Sequence, residues 1–134
     1  MNPECRHLFV YGTLRRGSQH PMARYLDRNA AFVAEARVPG QLYDLGTYPG
    51  LTIPMTAGDR VAGDIFELRN VDTILAAIDL YEGSGGHDPL FERCQERAQL
   101  TGGETLLVWV YRYRGTVRPN QRILSGEYKP PQPR

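Results

Sequence analysis

The sequence predicts an α+β fold: a small, mostly antiparallel sheet with one main helix and one or two short helices. Three observations carry this. At least six short β-rich runs are separated by Gly- or Pro-containing turns, and one segment carries an apolar stripe at helical spacing. The strands also do not alternate with helices, as a parallel doubly wound sheet would require. These patterns alone leave open whether the sheet closes into a barrel. A chain of 134 residues is the length of one domain, which spans residues 1–128; residues 129–134 form an extended, proline-rich tail.

Each element follows from local pattern. Residues 7–11 (HLFVY) form a β-rich run that Gly12-Thr13 ends sharply, and a polar loop follows through Ser18. Met22, Tyr25 and Leu26 stand at helical spacing behind Pro21, which suits a first helical position. Residues 31–38 and 41–45 read as strands split by the turn pair Pro39-Gly40. Tyr48-Pro49-Gly50-Leu51 reads as a further turn, and Pro54 opposes a central strand just beyond it. Residues 61–68 form a strand in which Gly63 marks either a bulge or a close backbone approach. Asn70 caps the clearest helix, with Val71, Ile74, Leu75 and Ile78 on one face and Gly83 beyond its end. Two strands, residues 91–100 and 104–113, are joined through Thr101-Gly102-Gly103; LLVWVY in the second is apolar on both faces and so reads as central.

Composition excludes several functions. Sixteen basic side chains against fifteen acidic give a net +1, so no overall field selects nucleic acid or an anionic membrane. No apolar run approaches the roughly 18 residues of a membrane helix, and the first residues lack the apolar core of a signal peptide. A cytoplasmic location is therefore expected. Cys5 and Cys94 cannot build a disulfide framework and read as small hydrophobes. His7, His20 and His87 lack zinc-site spacing, and neither a phosphate-binding glycine loop nor a G-x-S-x-G serine is present. Chemistry done by a carboxylate and backbone amides stays open.

Glu82 is the first candidate. It continues the face of Val71, Leu75 and Ile78, where a solvated carboxylate is out of place. It also falls in the last helical turn, where the negative end of the helix dipole opposes its charge. Burial and dipole together favour the protonated form and push a glutamate toward the range useful to a general base. The alternative is a helix that ends one residue earlier, with Glu82 in water. Asp79 is either a surface charge or a partner behind the site. The second candidate is the loop Tyr11-Gly12-Thr13-Leu14-Arg15-Arg16-Gly17: either a nest of N–H groups for an anion, or a plain strand-end turn with two solvated arginines.

Resemblance joins the two. Val10-Tyr11-Gly12-Thr13-Leu14-Arg15-Arg16-Gly17 resembles the signature loop of the gamma-glutamylcyclotransferase-like family, most of all its gamma-glutamylamine cyclotransferase branch. The likeness continues in order through Gly40-Gln41-Leu42-Tyr43-Asp44-Leu45-Gly46, Tyr48-Pro49-Gly50, Val61-Ala62-Gly63-Asp64-Ile65-Phe66-Glu67, Ile78-Asp79-Leu80-Tyr81-Glu82-Gly83 and Val110-Tyr111-Arg112-Tyr113. It implies a mixed fold around an antiparallel barrel, Glu82 as catalytic acid/base, and Tyr11, Gly12, Thr13 and Leu14 as the loop holding a glutamyl end. It further implies intramolecular aminolysis of a small γ-glutamyl substrate, releasing 5-oxoproline and a free amine, with no cofactor and no metal. Thr13 stands where many relatives have serine, which keeps the hydroxyl and changes little; Phe91 stands where many have tyrosine, which bears on substrate choice. The glycine-rich segment after Glu82 loosens the pocket rim.

Tyr111 and Tyr113 are either core or pocket lining. The rival readings are a non-catalytic binder of a γ-glutamyl or related ligand, and nucleic-acid contact through the basic excess after residue 111. Neither nucleic acid nor membrane is the expected partner; a small molecule is. The leaving amine and the oligomeric state are not set by the sequence.

Overall fold

Alternation along the first strand, β1 (His7–Val10), already sorts side chains into two cores. In the computed structural model, which describes residues 5–83 and 90–129, Phe9 joins one apolar cluster while Leu8 and Val10 join another. The remaining elements are α1 (Pro21–Asn29), β2 (Ala30–Pro39), β3 (Gln41–Asp44), β4 (Pro49–Thr52), β5 (Arg60–Leu68), α2 (Val71–Glu82), β6 (Phe91–Leu100) and β7 (Thr105–Tyr113). A single 3-10 turn, Pro119–Gln121, follows. Residues 84–89, which hold most of the glycine-rich segment and His87, and residues 130–134 of the tail lie outside the described residues.

Five strands close a barrel in the order β1-β5-β2-β6-β7, and β3 pairs with β4 in a separate ribbon. Every pairing is antiparallel except the closing one, where Leu8 of β1 meets Trp109 of β7 in parallel. The fold is thus the expected α+β barrel, with one parallel seam. Phe9, Val38, Ile65, Ala98, Val108 and Val110 fill the interior, one or more from each barrel strand. The outward residues Leu8, Phe66, Leu68 and Tyr111 lie in the second cluster, under both helices.

Helix α2 forms as its pattern predicts. The Asn70 side chain accepts from Thr73 N–H, and Gly83, at φ 72°, ends the helix by donating its N–H to the Asp79 and Leu80 carbonyls. Ile74, Leu75 and Ile78 are buried against the barrel, each contributing about 2 kcal/mol of apolar burial. The helix therefore runs through Glu82 and points that residue's end at the mouth of β1.

One local expectation changes and two are narrowed. Pro49-Gly50-Leu51 is not a turn but the start of β4, with Tyr48 in the bend before it, because Pro49 occupies the first strand position, where a ribbon edge tolerates a missing N–H. Gly63 marks a close approach and not a bulge: a Cβ there would lie 2.3 Å from the Val10 carbonyl oxygen, while the register shift sits on β2 between Phe32 and Ala34. Finally, β7 is flanked on both sides, yet its outward Leu107 is 36% exposed, since α2 covers only part of the barrel wall.

Candidate active site

The end of β1, the start of β4, the end of α2 and the start of β6 converge on a cavity of about 540 Å³. Tyr11, Gly12, Thr13 and Leu14 line one part of it and Glu82 another, so the structure brings together all five residues singled out in the sequence. Tyr111 also lines it and is buried at the same time, which makes the two readings of that residue compatible. Tyr113 instead packs on Phe91 behind the wall, with ring centroids 5.4 Å apart.

Glu82 is mostly buried, and burial pushes its carboxyl up to about 7. No hydrogen-bond donor or cation among the described residues compensates it. Desolvation carries the shift. Tyr111 sits nearby with its hydroxyl donating to Asp79 Oδ1 at 2.6 Å. Asp79 is gripped from its other side by Arg93, whose Nε and Nη2 donate at 2.8 and 3.2 Å. Asp79 is therefore neither free nor part of the lining around Glu82: it holds the Tyr111 phenol in place. Burial, then the adjacent carboxylate, keeps that phenol well above the ordinary tyrosine range.

Gly12 does not serve this loop by a left-handed turn. Gly12 does not have a positive φ; among the loop's glycines only Gly17 does, at 86°. Gly12 is required for space, because a Cβ there would lie 2.7 Å from Pro49 Cγ of β4. The turn is closed by Arg15 N–H donating to the Gly12 carbonyl at 3.1 Å. The N–H groups of Gly12, Thr13 and Leu14 donate to no acceptor among the described residues, and all three residues line the cavity.

Nor are the arginines both solvated. Arg15 forms a bidentate pair with Asp64 of β5, at 3.2 and 3.1 Å, and Arg16 N–H donates to Asp64 Oδ2 at 2.9 Å. Asp64 is 2% exposed. This anchor was not singled out from the sequence, although a lone acid within the apolar run VAGDIF is the signal that could have found it. Tyr11 is similarly committed: its hydroxyl donates to the Tyr111 carbonyl at 2.7 Å and accepts from Leu51 N–H at 3.2 Å. What Tyr11 offers the cavity is ring and backbone.

A second tie holds the loop to α2. His20 Nδ1 accepts from Met22 N–H at 3.1 Å, capping α1, so the neutral ring carries its proton on Nε2. Nε2 then donates to the Tyr81 hydroxyl at 3.2 Å, and that hydroxyl shares a hydrogen bond with the Thr13 hydroxyl at 3.4 Å. His20 was another residue that spacing alone did not select.

Other candidates fall into structural roles. Burial pushes the Cys5 and Cys94 thiols up, the reverse of nucleophile activation. Among the described residues no cluster of His, Cys, Asp or Glu could hold a metal ion. Of the basic residues after position 111, Arg112 pairs with Glu96, Arg114 with Glu92 and Arg122 with Asp59. No helix among the described residues is long and apolar enough to cross a membrane.

Comparison with known proteins bears on this arrangement. The family model "Gamma-glutamyl cyclotransferase, AIG2-like" matches residues 8–130. The chain belongs to that family. It is 34% identical over 113 residues to the gamma-L-glutamyl-butirosin B gamma-glutamyl cyclotransferase of Niallia circulans, covering 80% of this chain and 66% of that one. It is 31% identical over 124 residues to the gamma-glutamylcyclotransferase family protein YtfP of Escherichia coli (strain K12), covering 90% of this chain and 94% of that one. Its fold is shared by an AIG2-like protein from Mus musculus, with TM-score 0.67, 23% identity, and coverage of 98% of this chain and 100% of the other. YkqA from Bacillus subtilis aligns with TM-score 0.69 and 19% identity, but this chain spans only 40% of that protein.

Proposed function

We propose that this member of the family is a γ-glutamyl amide cyclotransferase. It would release 5-oxoproline and a free amine from a small substrate, with Glu82 as general acid/base. The observation that carries the reading is a desolvated carboxyl, poised at about 7, in the same cavity as three undonated backbone amides. A carboxylate buried without a partner is a cost to a mere binding protein, whereas a base of near-neutral pKa is what proton transfer needs.

In the proposed reaction the α-amine nitrogen of the γ-glutamyl group attacks its own side-chain amide carbon. The new C–N bond closes a five-membered ring, the old C–N bond breaks, and no water is consumed. Glu82 takes the proton from the attacking nitrogen and returns it to the departing one, a role worth roughly 10²–10⁴-fold in rate. The amides of Gly12, Thr13 and Leu14 hold either the glutamyl carboxylate or the developing oxyanion. Since both reacting groups are in one molecule, the cavity contributes mainly by folding the substrate into a near-attack shape.

Glu82→Gln tests this directly. Gln is nearly isosteric and cannot accept the proton, so 5-oxoproline release should fall at least about 100-fold while the melting temperature does not drop. Turnover equal to wild type would exclude Glu82 as the base. Loss of turnover with a collapsed melting temperature would assign it a structural role.

A further inference from the structure

The rim of the cavity has a chemical character that the cyclisation itself does not require. Tyr48, Tyr81 and Leu90 stand at the mouth, 38%, 40% and 53% exposed, an unusual amount of apolar surface to leave facing water at one place. Tyr48 leans on Phe91, with ring centroids 5.9 Å apart and planes at 55°. The Tyr81 hydroxyl is occupied by His20 and Thr13, so this residue presents its ring to the opening. Phe91 has no hydroxyl to present. Apart from Glu82, no Asp, Glu, Lys, Arg or His among the described residues lines the cavity.

Two consequences follow for whatever leaves as the amine. A glutamyl head bound by the loop amides and reached by Glu82 occupies the inner part of the site, and about 540 Å³ leaves room beyond it. The leaving nitrogen's substituent must then lie against the rim. There a carboxylate or an extra ammonium would meet no counter-charge among the described residues other than Glu82, whereas apolar or aromatic carbon would cover the exposed rings.

Resting on the cyclotransferase reading, we infer that the leaving amine carries an apolar or aromatic substituent, seated on Tyr48, Tyr81, Leu90 and Phe91. These four are specificity residues; none of them moves a proton.

The test is a panel of synthetic γ-L-glutamyl amides of phenethylamine, isoamylamine, glycine and the ε-amine of lysine, read by 5-oxoproline release. The first two should exceed the last two in kcat/KM by at least about 10-fold. Tyr48→Ala, at an exposed position, should shrink the ratio of phenethylamide to glycine amide severalfold. Leu90→Ala should do the same if Tyr48→Ala fails to fold. Equal turnover across the panel, or preference for the lysine or glycine amide, would overturn this inference and leave the cyclotransferase reading intact. Release from none of the four would overturn the cyclotransferase reading and this inference with it.

Discussion

A carboxyl largely withdrawn from water keeps its proton to higher pH, and at Glu82 this gives stability a definite pH dependence. Its folded-state value of about 7 lies above the ordinary 4.5 of the unfolded chain. Between those values the folded protein binds more protons than the unfolded one, so the stability this residue contributes is fully present below 4.5 and is lost as pH rises through 7. Glu82→Gln removes that dependence. Chemical unfolding should show the variant close to wild type at pH 4.5 and more stable at pH 8, by up to about 3 kcal/mol. A difference that does not change between the two pH values would place Glu82 in solvent. The sequence made this residue legible, because 71, 75, 78 and 82 share a helix face and only one of them is charged. Gly12 was legible as necessary but for the wrong reason: nothing in the local sequence says that Pro49 packs against it.

Between elements, the site depends on contacts that no local pattern encodes. The loop after β1 is pinned to β5 through Asp64, whose pairing with Arg15 and Arg16 N–H exists only because β1 and β5 are neighbours. Removing Asp64 leaves Arg15 only the half-exposed Glu127, 3.3 Å away, as counter-charge and leaves the Arg16 N–H without its acceptor. Asp64→Ala should therefore cost about 2 kcal/mol in unfolding free energy and raise KM for a γ-glutamyl amide, because the loop proposed to hold the glutamyl end loses its anchor. Unchanged stability with unchanged KM would show that the loop holds its shape without Asp64. Strand β4 was missed for a related reason. Pro49-Gly50 has turn chemistry by composition, yet Gly50 is needed because Tyr113 crosses it, where a Cβ would sit 2.9 Å from the Tyr113 Cβ. The two helices and the β6–β7 hairpin were readable because their signals are periodic or local; β4 and the loop anchor are tertiary.

For the molecule as a whole, barrel closure is what turns separated segments into one cavity. The parallel seam between Leu8 and Trp109 sets the end of β1 beside β7, and α2, laid over that wall, delivers Glu82 to the same opening. Periodicity showed each part but not their meeting; only the ordered resemblance along residues 7–113 linked the loop to the glutamate. The central claim is that the cavity works as a unit around a base whose pKa burial has raised. The most direct measurement is the pH dependence of kcat/KM for 5-oxoproline release from a γ-glutamyl amide, taken from pH 5 to 9. A base poised at about 7 predicts activity that rises through that value to a plateau, with Glu82→Gln lacking the rise. A wild-type profile already flat from pH 5 upward would mean an ordinary, solvated glutamate and would contradict the account.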